Sequence, residues 1–198
     1  MCQMCQYGLQ KNLLLHLLAC LGKARNIIHG EKAPKNLMQY MASVQNNKGE
    51  HVCGGFLIKE DFAVSAAHCD KYNLTYVVLG NHNLKNSSHQ KIRIENKTIH
   101  ENYKGVGHHD DVVCLQLSKK AHLGHGVQTI KFQPAEINLK ENQVCQVAGW
   151  GKTETDDDKP ADELMVVDVD VSVREAVLEN LFTLTEKYPF RKIGRKPE

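Results

Sequence analysis

The sequence predicts an all-β protein, a barrel or sandwich of short strands, on three observations. Short apolar or β-branched stretches recur at 40–44, 52–58, 62–66, 76–79, 92–94, 112–117, 144–148 and 165–173. Clusters of Asn, Asp, Gly, His and Lys separate them, as turns separate strands. The last stretch, MVVDVDVSV, partly alternates, as a strand with one wetted face should. With 198 residues, 41% of them hydrophobic, the chain fits one domain or two small barrels sharing an interface. Its charged fraction of 24% is ordinary for a soluble protein, and a formal charge of +2 gives no argument for a nucleic-acid partner.

Taken in order, the chain begins with residues 1–24, which read as a signal peptide. Its core is LLLHLLACL at 13–21, too short to span a bilayer, so no membrane span is expected. A cut after Ala24 would leave Arg25-Asn26 as a dipeptide propeptide, with a partial domain over 27–173 and a divergent tail over 174–198. Of the seven cysteines, Cys53 and Cys69 would close a short loop, as an extracellular disulfide does. Such a bridge contributes roughly 3 kcal/mol in the loop-entropy model. Three N-x-S/T glycosylation sequons at Asn73, Asn86 and Asn96 lie in polar surroundings and favour the same secreted setting. The acidic run at 156–158 reads as a solvated loop. At 174–187, Val177, Leu178, Leu181, Phe182 and Leu184 recur at helical spacing before Pro189, which predicts a C-terminal helix. The chain closes on a basic tail carrying Arg191, Lys192, Arg195 and Lys196.

Two blocks carry chemistry. HVCGGFLIKEDFAVSAAHC at 51–69 places His68 after two alanines small enough for a tight, buried turn. A Cys53–Cys69 bridge would pin that turn to the neighbouring strand, and a histidine so held is preorganised as a base. DDVVCLQL at 110–117 places Asp111 at the mouth of an apolar strand, where it serves either as a strand-capping residue or as the carboxylate that orients the base. The order, histidine before aspartate, is that of chymotrypsin-type triads. His108, His109, Asp110 and Asp111 make a poor metal set, because adjacent residues in a strand face opposite ways. No metal ligand and no cofactor are nominated. Cys114 reads as a buried free thiol.

Together these blocks resemble the histidine and aspartate blocks of trypsin-like serine proteases. Within that family the chain is most similar to granzymes and mast-cell proteases. Ile27-Ile28-His29-Gly30 resembles a mature N-terminus, and PKNLMQYMASVQ, LGNHNLKN at 79–86, QKIRIENKTIHENY at 90–103 and QVAGWGKT at 146–153 continue the likeness. The resemblance implies a double β-barrel whose first barrel is complete and whose second is incomplete. It implies that His68 is the general base and acid, Asp111 its orienting carboxylate, Ser65 a neighbour of Asp111 behind the reacting groups, and Ile27 the N-terminus freed on zymogen activation. The family's Gly-Asp-Ser-Gly-Gly nucleophile block does not occur in the 198 residues, and the likeness fades after Val173, as in a C-terminally truncated relative. Cys145 is thereby left without its expected partner.

Two functions compete at this stage. The first is a trypsin-like serine endopeptidase of granzyme type acting on protein or peptide substrates, with this polypeptide inactive alone. The second is a secreted, non-enzymatic relative that binds a proteoglycan or a protein partner through its basic tail. Either would be secreted or stored in a secretory granule.

Overall fold

A computed structural model describes residues 30–86, 89–106, 111–130, 143–153 and 161–171. Nine strands and one short 3-10 helix occur among them: β1 (Glu31–Lys32), β2 (Met41–Asn46), β3 (His51–Lys59), β4 (Phe62–Ser65), the 3-10 helix (Ala67–Tyr72), β5 (Leu74–Leu79), β6 (Gln90–Ile99), β7 (Val113–Leu117), β8 (Gln143–Gly149) and β9 (Met165–Val171). The fold is all-β, as expected. The expected leader, Ile27, the 156–158 loop, the C-terminal helix and the basic tail lie outside the described residues, as do His108, His109 and Asp110.

Six strands close a barrel in the order β2-β3-β4-β7-β6-β5, every pair antiparallel. Closure removes the unpaired edges that an open sheet of this size would expose. Strand alternation fills the interior: Ala42, Val44, Leu57, Ala63, Val77, Leu79, Ile92, Val113, Leu115 and Leu117 all point inward and are buried. Phe56, Ile58, Val64, Val112 and Cys114 point the other way and form a second apolar cluster with Tyr40, Phe62 and Ile130. Burial on both faces is why these segments read as continuous apolar runs rather than alternating ones.

The remaining strands form a three-stranded antiparallel sheet, β1-β9-β8. It meets the barrel through a third cluster in which Met41 of β2 packs with Ala33, Ala148, Trp150, Leu164 and Val166. Polar ties reinforce that junction. Leu84 N–H donates to Asp162 O at 2.8 Å, Leu164 N–H to His82 O at 2.8 Å, and the Asn83 side-chain amide to Glu163 Oε1 at 2.9 Å. The Trp150 indole N–H also donates to His82 O at 2.8 Å. A closed barrel beside a second, smaller sheet is the architecture that the sequence resemblance implies.

Two elements differ from the sequence reading. β6 is longer than the apolar stretch at 92–94, because residues 95–99 are exposed and only Ile99 among them is hydrophobic; a bulge between Ile94 and Asn96 shifts their register against β7. β1 was not foreseen, since both of its residues are polar and exposed.

Candidate active site

Strand register builds the site. β4 and β7 pair antiparallel, and Ser65, the last residue of β4, sits opposite Val113, the first of β7. The chain leaving β4 and the chain entering β7 therefore pass the same end of the ladder. His68 follows on the first and Asp111 precedes on the second.

The two side chains meet there. His68 Nδ1 lies 2.5 Å from Asp111 Oδ2, and the His68 backbone N–H donates to Asp111 Oδ1 at 2.8 Å. Both carboxylate oxygens are thus directed at one residue, which fixes the ring's position and its plane. With the carboxylate accepting, Nδ1 is the protonated nitrogen and Nε2 is left as an acceptor. Asp111 is buried and the His68 side chain is 9% exposed, so the pair is nearly enclosed. Tyr103 packs close by against the barrel core. Burial and then the negative charge of Asp111 raise its phenol above the usual tyrosine range.

The local fold explains why His68 is held. Ala66 and Ala67 are buried, so the turn off β4 is pressed against the core, as their small size allows. The 3-10 helix that follows ends on Asn73, whose φ of 57° is left-handed and whose N–H donates to Asp70 O at 3.1 Å. Cys53 and Cys69 form a disulfide with their Cα atoms 6.4 Å apart, which ties the helix to β3. An ion pair between Lys97 of β6 and Asp70 holds the other side. Ser65 is buried, and its hydroxyl donates to Gly54 O at 2.8 Å, fixing the end of β4 to β3. Gly55 permits that approach, because a Cβ there would lie 2.7 Å from the Val64 carbonyl oxygen.

The sequence reading assigned no role to a second polar pair. Ser43 Oγ lies 2.8 Å from His51 Nδ1, and the His51 ring packs edge-on against Trp150 with centroids 5.3 Å apart. Burial lowers the His51 pKa to about 4, so this ring is neutral at physiological pH. His51 opens the same block that contains His68, but only strand register brings Ser43 to it. Of the other sequence-nominated residues, Asn73 and Asn96 are exposed at a helix end and on β6, and Asn86 is exposed beyond β5. Cys114 is buried and takes no part in the disulfide. Among the described residues no helix is long and apolar enough to cross a membrane.

The trypsin family model matches residues 27–188. Mast cell protease 2 of Ovis aries is 36% identical over 146 residues, covering 71% of this chain and 58% of its own length. Granzyme B of Homo sapiens is 36% identical over 145 residues, covering 71% of this chain and 58% of its own length. Among solved structures, human heparin binding protein superposes with a TM-score of 0.68 at 28% identity, over 76% of this chain and 68% of that one. The chain thus spans little more than half the length of the curated relatives it matches.

Proposed function

Because the chain belongs to the trypsin-like serine protease family, we propose that it is the histidine- and aspartate-bearing part of a granzyme-type serine endopeptidase. The observation that carries this reading is the two-point grip of Asp111 on His68, which leaves Nε2 as the proton acceptor. In peptide hydrolysis His68 would take the proton of a nucleophilic serine and return it to the leaving amine. Asp111 would hold the ring and stabilise its imidazolium form. Ser65 supports both by fixing the end of β4 beside Asp111. Ile27 would be the N-terminus released on activation of a zymogen. The partners are protein or peptide substrates, and the setting is secretion or a secretory granule, with glycans on Asn73, Asn86 and Asn96.

The 198 residues contain no Gly-Asp-Ser-Gly-Gly segment, and nucleophile and oxyanion stabilisation carry most of the catalysis in this class. On its own, this polypeptide is expected to hydrolyse no peptide above background and to resist fluorophosphonate labelling. The test is to read transcripts across and beyond codon 174 and to assay any product that supplies the serine block. Such a product should label stoichiometrically, and His68→Ala should reduce kcat by at least about a thousandfold. A serine-containing product that neither labels nor cleaves would overturn the proposal.

A second reading has one observation in its favour, the superposition on human heparin binding protein. In it the chain is a secreted, non-enzymatic relative that binds a proteoglycan. Retention on heparin at low salt, lost when residues 191–198 are removed, would support it. No retention would dismiss it.

A further inference from the structure

We propose that Cys53, His68 and Cys69 form a zinc site when the disulfide is reduced, and that the intact disulfide keeps the site closed to metal. One ligand atom from each of these three residues lies within 4.8 Å of the others. The arrangement is a product of the fold. Adjacent residues in a strand diverge, but His68 and Cys69 lie in a 3-10 helix, where successive side chains turn by about 120°. Both can therefore face Cys53 on β3.

The distances suit a metal once the S–S bond is gone. Two thiolates at about 2.3 Å from one zinc stand about 3.8 Å apart. The Cα separation of 6.4 Å accommodates that by side-chain rotation alone. The third ligand is already oriented. Asp111 holds His68 Nδ1 at 2.5 Å, so Nε2 is the nitrogen left to bind, and the order carboxylate, histidine, metal is the one that positions zinc-bound imidazoles. Two thiolates and one imidazole form a donor set suited to zinc, with a fourth position open to water.

The chemistry balances with a dithiol as reductant. It transfers two electrons to the Cys53–Cys69 bond, which breaks to two thiols, while the dithiol closes to its own cyclic disulfide. Zinc then displaces one proton from each thiol to solvent. The two thiolates neutralise the metal's charge, so a nearly buried site acquires no net charge. Metal binding and base function use the same nitrogen of His68, so each state excludes the other. The proposal stands whether or not the chain takes part in peptide hydrolysis.

The test uses the full chain, reduced with a dithiol, exchanged anaerobically into dithiol-free buffer and titrated with Co2+. The reduced protein should bind one equivalent with thiolate charge-transfer bands and the visible bands of a tetrahedral ion, all displaced by Zn2+. The oxidised protein should show neither. His68→Ala should weaken binding at least about tenfold and shift the visible bands, and Asp111→Asn should weaken it by about tenfold or more. Cys114→Ser should change nothing. Absence of saturable binding would overturn the proposal, as would spectra indifferent to His68→Ala, which would place the metal on other cysteines. Loss of barrel amide protection on reduction would overturn it as well, since the site needs β3 and the helix held together.

Discussion

His51 illustrates how one buried ring sets a pH limit. Its pKa in the folded chain is about 4, against an unperturbed 6.5, because burial disfavours the charged form. Protonation therefore favours the unfolded chain. The contribution of neutral His51 is fully present above pH 6.5 and is lost as pH falls toward 4, amounting to roughly 3 kcal/mol over that window. The urea midpoint should drop between pH 7 and pH 4.5, and His51→Gln should flatten that drop even if it lowers stability at pH 7. A variant with an unchanged slope would remove His51 as the cause. Gly55 makes a different demand. A methyl group there meets backbone rather than a yielding side chain, with the Val64 carbonyl 2.7 Å away. Gly55→Ala should cost about 1–3 kcal/mol by chemical denaturation and loosen the strand end that carries Ser65.

At the scale of elements, Trp150 ties the second sheet to the barrel, with its indole on the His82 carbonyl and its ring against His51. Trp150→Phe keeps much of the apolar surface but leaves that carbonyl with one donor fewer. A loss of about 1 kcal/mol is expected, and faster amide exchange at Leu164, which donates to the same oxygen, is the local sign. The elements also differ in how far the sequence revealed them. β3, β4 and β7 were legible because burial on one or both faces concentrates Val, Ile, Leu and Phe in them. The outer half of β6 was not, since exposed residues 95–99 include a single hydrophobic residue, Ile99, and β1 is two polar residues defined only by their partner. The site divides in the same way. His68 and Asp111 stand in short, recognisable blocks. The Ser43–His51 pair depends on the register between β2 and β3, including a bulge after Val44, which no local pattern encodes.

Across the whole molecule, the barrel and the second sheet have unequal protection. The barrel is closed, and a core of fully buried side chains including Leu57, Val77, Leu79, Val113 and Leu115 fills it. The sheet of β1, β9 and β8 leans on it through one cluster and is bounded on one side by a strand of two residues. Hydrogen exchange should be slowest within residues 38–117 and distinctly faster in β8 and β9. Equal protection in both parts would contradict this.

The pairing of Glu31 with Val166 and of Lys32 with Met165 clasps positions far apart in the chain. Closing a free loop of ~130 residues costs about 4 kcal/mol in chain entropy, and a ladder two residues long does not offset it. The clasp can form only after the barrel between those positions has folded and drawn them together. During synthesis, all six barrel strands leave the ribosome before β9 is made, so the barrel can fold while the chain is still being extended. β1 is translated before every other strand described and is among the last to find its partner.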